Sequence, residues 1–269
     1  MAKNRPRLAA GLPRLRLGGS TLTYILNRRA AWSRTAPSRK TTFEDVFNLR
    51  MTLSDTMLDC LIVGGGIAGL SAGLALGRAR RKTLICSDGL PRNAPARHSH
   101  NFLTRDCVFP LELQAIARQQ LEPYTSVSIL DFEAKCVERS PDGSFVALLG
   151  NDTRVMSRTV ILATGVQDNL DAILGVRPLW GHSVFSCPFC HGWEHRDRAW
   201  AVLITGASDF LMVKSALSWT KNLLVCGNGT FVPDSQQMAR LEALGISFVA
   251  SPVVELQGRA LELQALKFA

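Results

Sequence analysis

The hydrophobic pattern after residue 57 predicts alternating strands and helices. Residues 58–63 form a short apolar run, three glycines follow it, and residues 67–80 continue with small and apolar side chains over the length of a helix. A second short apolar run lies at residues 83–86. Short apolar runs next to glycine indicate buried strands. The order strand, turn, helix, strand is a βαβ unit, which predicts a parallel sheet.

The chain that follows, up to residue 170, predicts one more helix and a group of short strands. Apolar residues at helical spacing predict a helix that starts at Phe109 or Pro110 and ends at residue 121. Alternating segments predict an antiparallel meander; they are residues 126–130, 134–138 and 145–149. A continuous apolar run at residues 159–163 predicts the next core strand.

The rest of the chain repeats the order of strand, turn and helix. The predicted strands are residues 200–205, 223–226, 247–254 and 261–266, and the predicted helices are residues 210–219 and 233–244. We therefore predict an α/β protein with two Rossmann-like three-layer domains, of which the first carries the inserted meander. The expected parts are a leader at residues 1–56 and domains at residues 57–170 and 171–269.

The formal charge of +9 belongs to the N-terminal segment alone. Ten Lys or Arg and no Asp or Glu lie in the first 43 residues, and the remainder carries 21 basic and 22 acidic residues. The predicted domains therefore lack the basic surface that nucleic acid requires, and we expect no such partner. The leader has the composition of a mitochondrial transit peptide. The alternatives are a disordered basic tail, or upstream sequence translated ahead of a true start at Met51 or Met57. The expected location is accordingly mitochondrial or cytoplasmic.

An uncharged stretch at residues 60–77 is long enough to resemble a membrane span. Six of its 18 residues are glycine, and a basic patch follows it directly. A strand, a tight turn and a helix explain this clustering of glycine better than a span does. We therefore expect no membrane partner.

The glycines of this stretch form a dinucleotide-binding fingerprint. Gly64, Gly66 and Gly69 satisfy G-x-G-x-x-G, with Ile67 and Ala68 between the last two, and the motif stands between a predicted strand and a predicted helix. The amides of such a turn and the positive end of the helix dipole bind phosphate. The acidic group that binds the adenosine ribose should end the second strand, where Ser87 and Asp88 lie, and Asp88 is the better candidate.

Seven cysteines are present, and one closely spaced pair stands out among them, Cys187 and Cys190 in Cys-Pro-Phe-Cys-His. Two cysteines at this spacing can close a disulfide and suit thiol–disulfide exchange. His191 follows directly and could take and return the proton of a thiolate. Half of a zinc site and a pair of inert core thiols are the alternatives, and no second C-x-x-C exists to complete a zinc site. We predict the redox pair and no metal.

Two further features give weaker signals. The turn at Gly206 keeps only the middle glycine of a G-x-G-x-x-A pattern, and the next strand end has no arginine pair for a 2′-phosphate. The order of strand, turn and helix predicts a nucleotide site at this turn, whereas the missing glycines and arginines argue against one. His98 and His100 lie in an arginine-containing loop, which suggests solvated surface or contact with a cofactor or substrate.

These motifs together resemble the low-molecular-weight thioredoxin reductase family, and most closely its branch of gliotoxin-type and holomycin-type dithiol oxidases. The matching stretches are residues 60–77, 91–106, 160–166 and 187–197. The resemblance implies FAD in the first domain and an NAD(P)-binding-like second domain with a weak NADP site. It implies FAD contacts by Asn93, Thr164 and Gly165 in addition to the glycine motif.

The resemblance also implies roles for the redox residues. Cys190 would lie nearer the flavin, Cys187 would meet the substrate, and His191 would stand where thioredoxin reductases have an acid–base Asp. It implies a homodimer and a small dithiol or disulfide substrate, such as a secondary metabolite. Family members return to the first domain with a late Gly-Asp motif that is absent before Ala269, so we expect the C-terminal part of the flavin domain to be missing.

The expected function is oxidation of a small dithiol to a disulfide, with oxygen as the electron acceptor. An NADPH-dependent disulfide reductase of thioredoxin-reductase type is one alternative. A truncated, non-catalytic remnant is the other.

Overall fold

The computed structural model describes residues 56–269. Apart from Thr56, the predicted basic leader lies outside the described residues. None of the helices in the described part is long and apolar enough to cross a membrane.

A six-stranded sheet with two main helices forms the first half of the described chain. Its elements are β1 Met57–Val63, α1 Ile67–Arg78, β2 Thr83–Cys86, α2 Pro110–Gln119, β3 Val127–Leu130, β4 Ala134–Arg139, β5 Phe145–Leu149 and β6 Arg154–Leu162. The strand order is β3-β2-β1-β6-β5-β4. The β3-β2-β1-β6 part is parallel and the β6-β5-β4 part is antiparallel. The predicted βαβ unit and parallel sheet are confirmed.

The strand predicted at residues 126–130 is confirmed, but its assignment to an antiparallel meander was wrong. This segment is not the first strand of a meander, because β3 pairs in parallel with β2, with Val127 opposite Thr83. The helix α2 returns the chain to the same end of the sheet before β3 begins, and a helical crossover of this kind produces parallel pairing. The third strand of the meander is the first part of β6, where Phe145 lies opposite Ser157. Short apolar segments carry no signal of strand direction.

Both faces of the parallel strands are buried. One cluster includes Leu61, Leu84 and Leu149, each fully buried, and the opposite cluster includes Ile62, Ile85 and Leu70. Helix α1 approaches the sheet closely, because a Cβ at Gly73 would lie 2.6 Å from Ile85 Cδ1. Burial on both faces explains why β1 and β2 are continuous apolar runs rather than alternating ones.

The second half holds a smaller parallel sheet and a separate hairpin. Its elements are a short helix α3 Pro188–His191, β7 Trp200–Leu203, α4 Phe210–Ala216, β8 Leu223–Cys226, α5 Ser235–Ala243, β9 Ser247–Val249, β10 Val253–Arg259 and β11 Glu262–Phe268. Strands β7, β8 and β9 are parallel neighbours, and β10 and β11 pair antiparallel. The Rossmann-like α/β class is confirmed, whereas the domain boundaries stay predictions.

The single strand predicted at residues 247–254 is two strands in two sheets. The break falls at Pro252, whose nitrogen has no hydrogen to donate to a ladder. Beyond it, the amide of Val253 donates to the side-chain oxygen of Asn228 at 2.9 Å. This contact directs the chain into the β10–β11 hairpin.

We expect substitution of a buried leucine to lower the free energy of unfolding far more than substitution of an exposed one. Leu84→Ala removes a fully buried side chain and should lower the free energy of unfolding by about 2–5 kcal/mol, through lost burial and a residual cavity. Leu90→Ala is the matched control, because Leu90 lies near β2 but is 69% exposed. Urea denaturation followed by circular dichroism measures both; equal losses in the two variants would contradict the assigned core.

Candidate active site

Three parallel strands end beside the glycine loop. Strand β1 lies between β2 and β6, so the carboxyl ends of all three meet at one edge of the sheet. The amide of Gly64 donates to the carbonyl of Cys86 at 2.8 Å, and the amide of Ala163 donates to the carbonyl of Val63 at 2.8 Å. Such an edge is where open α/β sheets bind nucleotides.

The three motif glycines meet different surroundings. Gly64 has φ +113°, and a Cβ there would overlap the carbonyl oxygen of Ala163. A Cβ at Gly69 would overlap the carbonyl oxygen of Gly64, so close packing of helix on loop excludes a side chain. A Cβ at Gly66 would meet nothing within 4 Å. Gly66 therefore borders open space, where a ligand can approach the backbone.

The start of α1 fits a phosphate group. No side chain caps the helix, and its first turn contains no acidic residue. Ile67 and Ala68 lie in this turn, and the first amide bonded back to the loop is that of Leu70, at 2.9 Å from the carbonyl of Gly66. Unpaired amides and the positive end of a helix dipole bind anions. The residues present thus fit the pyrophosphate of a dinucleotide.

The remaining predicted cofactor residues are divided between two places. Asp88 is exposed just beyond β2, whereas Ser87 is buried beneath Gly65 and its hydroxyl accepts from the amide of Gly89. Asp88 is therefore the accessible candidate for the ribose. Thr164 and Gly165 are exposed just beyond β6, beside the glycine loop. Asn93 lies elsewhere, in the cavity of the cysteine pair.

That cavity, of about 150 Å³, lies between the loop after β2 and the cysteine turn. It brings together all three predicted catalytic residues and one predicted cofactor residue; these are Cys187, Cys190, His191 and Asn93. His98 and His100 also line it, and the side chain of His100 is only 17% exposed. For His100 the structure favours contact with the cavity over solvated surface.

The cysteine pair is closed as a disulfide. Cys187 precedes the one-turn helix α3, and Cys190 lies within it, with their Cα atoms 5.3 Å apart. The amide of Cys190 donates to the carbonyl of Cys187 at 3.1 Å. Because the sulfurs are bonded to each other, neither is a thiolate ligand. The closed disulfide is the form that the predicted redox pair requires, and the role of the pair stays a prediction.

His191 is half-buried, and its ring stacks on Phe185 with centroids 5.2 Å apart. Burial lowers the pKa of His191, because desolvation disfavours the charged imidazolium. The backbone of Cys187 and the carboxylate of Glu194 oppose this pKa shift, and the charges of His195 and His100 add to it. Neither ring nitrogen has a hydrogen-bond partner of good geometry within residues 56–269. A neutral imidazole of this kind can accept a proton from a thiol.

Phe185 is a site residue that the sequence analysis did not find. Its ring lies between His191 and His195, each with a centroid separation of 5.2 Å, and meets the edge of Trp200 at 5.5 Å. The stack holds the His191 ring in one orientation beside the disulfide. An isolated phenylalanine two positions before a cysteine carries no signal of this role.

Two side chains of the loop after β2, those of Arg92 and Asn101, contact the segment around the cysteine turn. Arg92 pairs with both oxygens of Asp168, at 2.6 and 2.5 Å, and also donates to the hydroxyl of Ser186 at 3.1 Å. The side-chain amide of Asn101 donates to the carbonyl of Phe189, inside the Cys-x-x-Cys turn. Bidentate arginine–carboxylate pairs fix orientation as well as distance. These contacts therefore position the disulfide against the cavity wall.

The turn at Gly206 is occupied by a carboxylate of the chain itself. Asp209 accepts from the amide and the hydroxyl of Thr205, both at 2.9 Å, and weakly from the hydroxyl of Ser208. The amide of Thr205 is the main cause that lowers the pKa of Asp209, so the carboxylate stays ionised at neutral pH. This negative charge lies in the turn where a second dinucleotide would place its pyrophosphate.

Three partly buried histidines lead us to expect a pH dependence of stability. Burial lowers the pKa of His191, His195 and His182, so the unfolded chain binds more protons than the folded chain just below pH 6.5. The stability that these three groups contribute should be present above that pH and should be lost as the pH is lowered through the window below it. His191→Asn should reduce the slope by at most one proton, about 1.4 kcal/mol per pH unit.

Urea denaturation at several pH values between 5 and 8 measures this slope. An unchanged slope in His191→Asn would show that His191 is protonated equally in both states.

The comparisons with known proteins agree with this geometry. The sequence profile of the family described as pyridine nucleotide-disulphide oxidoreductase matches residues 58–230. A probable thioredoxin reductase of Arthroderma benhamiae is 39% identical over 54% of this chain and 37% of its own length. Thioredoxin reductase sirT of Leptosphaeria maculans is 32% identical over 77% of this chain and 67% of its own.

A solved structure shows the same relationship. The putative thioredoxin reductase TrxB of Bacillus anthracis matches with a TM-score of 0.73 and 31% identity, over 78% of this chain and 71% of that chain. Against three of the first four curated relatives the chain spans only 37–48% of the relative's length. The matched profile covers more than half of the chain, including the glycine loop and the cysteine pair. The chain therefore belongs to the pyridine nucleotide-disulphide oxidoreductase family and is thioredoxin reductase-like.

Proposed function

We propose that this protein is an FAD-dependent oxidoreductase that converts a small dithiol to a disulfide, with oxygen as the final electron acceptor. One observation carries the proposal. A closed disulfide and a half-buried histidine with a lowered pKa share one cavity, which is open to a small ligand. In thiol–disulfide exchange a thiolate attacks a disulfide, and a neighbouring proton acceptor helps to form that thiolate.

FAD would lie along the edge where β1, β2 and β6 end. The loop and first helical turn, from Gly64 to Gly69, would hold its pyrophosphate, and Asp88 would accept from its ribose. Thr164, Gly165 and Asn93 are the further proposed contacts, and Asn93 lies on the side toward the cysteine pair. Bound FAD would supply a two-electron carrier between the cysteine pair and oxygen.

The first half of the reaction is an exchange at the cysteine pair. One substrate thiol gives its proton to His191, and the thiolate attacks Sγ of Cys187, which breaks the Cys187–Cys190 bond and forms a mixed disulfide. The second substrate thiol then attacks its own neighbouring sulfur in the mixed disulfide and releases Cys187. His191 returns the first proton to the Cys190 thiolate, and the proton of the second substrate thiol passes to the released Cys187 thiolate. The substrate has lost two electrons and two protons, and the pair has become two thiols.

Return of the pair to the disulfide requires an acceptor for these two electrons and two protons. We propose molecular oxygen, which would become hydrogen peroxide. Asp209 supports oxygen over a nicotinamide nucleotide, because its ionised carboxylate occupies the glycine turn between β7 and α4 and would repel a pyrophosphate there. The relatives' names favour the alternative, a thioredoxin-reductase-type disulfide reductase that uses NADPH. A chain that binds no flavin would instead be a non-catalytic remnant.

The oxidase proposal predicts a distinct spectral cycle. The full-length protein saturated with FAD should lose its flavin absorbance on anaerobic addition of a dithiol, and should regain it with peroxide when air is admitted. Cys190→Ser should slow this turnover by about 1,000-fold or more, because no disulfide can form. Cys136→Ser, at an exposed cysteine outside the site, should leave the rate as it is.

Stopped-flow absorbance and a peroxide assay provide the measurement. Bleaching by NADPH but not by dithiol would replace the oxidase with the reductase. A protein that stays colourless and gains no thermal stability from FAD would be the remnant.

The glycine loop gives a second prediction. Gly66→Ala should leave folding intact, because its Cβ meets nothing within 4 Å of the chain, and should weaken FAD binding by about tenfold or more where the methyl enters the phosphate space. Gly206→Ala is the matched control, since its Cβ also meets nothing within 4 Å but lies in the Asp209 turn. Titration of FAD fluorescence measures the affinity, and equal affinities in both variants would place FAD elsewhere.

A further inference from the structure

The loop that contains His98 and His100 is closed by a short antiparallel bridge. Ser99 pairs with Val108, and their amides and carbonyls exchange hydrogen bonds of 2.6 and 3.3 Å. Ser99 is buried and its hydroxyl accepts from the side-chain amide of Asn93 at 2.9 Å. Because successive side chains of an extended segment point to opposite faces, His98 and His100 share the face away from Ser99.

The same bridge brings a thiol to these histidines. Cys107 directly precedes Val108, so it lies beside the bridged pair. One ligand atom each of His98, His100 and Cys107 lies within 4.8 Å of the other two. Two imidazoles and one thiol are the ligand types that Zn²⁺ and related ions prefer. Small rotations of the two exposed side chains, His98 and Cys107, can shorten these separations.

Two carboxylates flank the buried member of the group. Asp106 Oδ1 is 3.4 Å from His100 Nδ1, and Glu194 Oε1 is 3.5 Å from His100 Nε2. Whichever ring nitrogen binds an ion, the carboxylate on that side lies next to the ion. The carboxylate on the other side accepts the remaining N–H, which orients the ring as carboxylates do in zinc sites.

We propose that His98, His100 and Cys107 form a binding site for a divalent transition-metal ion of the zinc class, completed by a carboxylate or solvent. The site departs from the sequence prediction of no metal, and it borders the cavity of the cysteine pair without using either redox cysteine. It does not depend on the proposed oxidase function, because none of its ligands is a flavin contact or a redox cysteine. Since two of its ligands line the cavity, a bound ion would lie at the cavity's edge.

Alkylation of cysteine by iodoacetamide tests the site without any assay of activity. Cys107 and Cys136 are both exposed thiols, whereas Cys60, Cys86 and Cys226 are buried and Cys187 is paired with Cys190. In the full-length, chelator-treated and oxidised protein, stoichiometric Zn²⁺ should slow alkylation of Cys107 by about tenfold or more, because a bound thiolate is not free to react. Cys136, measured in the same peptide digest by mass spectrometry, should be unaffected.

Variants separate a built site from casual binding by one thiol. His98→Gln and His100→Gln should each abolish the protection of Cys107, and His182→Gln, at a histidine outside the group, should retain it. Continued unreactivity of the buried cysteines shows in the same digest that each variant is folded. Protection that persists in both ligand variants, protection of Cys136 as well, or no protection of Cys107 would each overturn the proposal.

Discussion

The pairing of β1 with both β2 and β6 is the constraint on which the site depends. It brings the ends of three strands to one edge, and Gly64 then passes so close to Ala163 that no side chain fits between them. The helix α1 can pack on the loop only because Gly69 also lacks a side chain. The close approach of Gly64 to Ala163 makes the loop tight. The start of α1 is uncapped, and the space at Gly66 is open. The nucleotide site is therefore a product of backbone proximity rather than of particular side chains.

The redox site is held by polar contacts between segments far apart in the chain. Arg92 joins Asp168 and Ser186, and Asn101 joins Phe189, so the loop after β2 and the cysteine turn form one cavity. The aromatic stack of His191, Phe185 and His195 then positions the histidine next to the disulfide, and burial lowers the pKa of that histidine. The hydrogen bonds of Arg92 to Ser186 and of Asn101 to Phe189 join the two walls, and Phe185 and His191 line the cavity between them.

The glycine turns at Gly66 and Gly206 show how one charge changes a site. At Gly66 the helix start is uncapped and carries no acid, whereas at Gly206 the carboxylate of Asp209 already accepts from the amide of Thr205. The amides of the turn at Gly66 can donate to a bound anion, whereas the amide of Thr205 in the turn at Gly206 already donates to the Asp209 carboxylate. The backbone layout of the two units is alike, but their electrostatics point to different ligands.

The sequence by itself determined the α/β class, the glycine loop and the closely spaced cysteine pair, because each depends on residues adjacent in the chain. Residues 58–63, 83–86 and 145–149 were predicted as strands almost to the residue, since apolar runs bounded by turns are local signals. The direction of β3, the contact of Phe185 with Trp200 and the cavity that Arg92 and Asn101 form with the cysteine turn were decided by the tertiary structure. Strand direction, ring stacking and burial arise between segments distant in sequence, and no local pattern of residues records which distant partner each will meet.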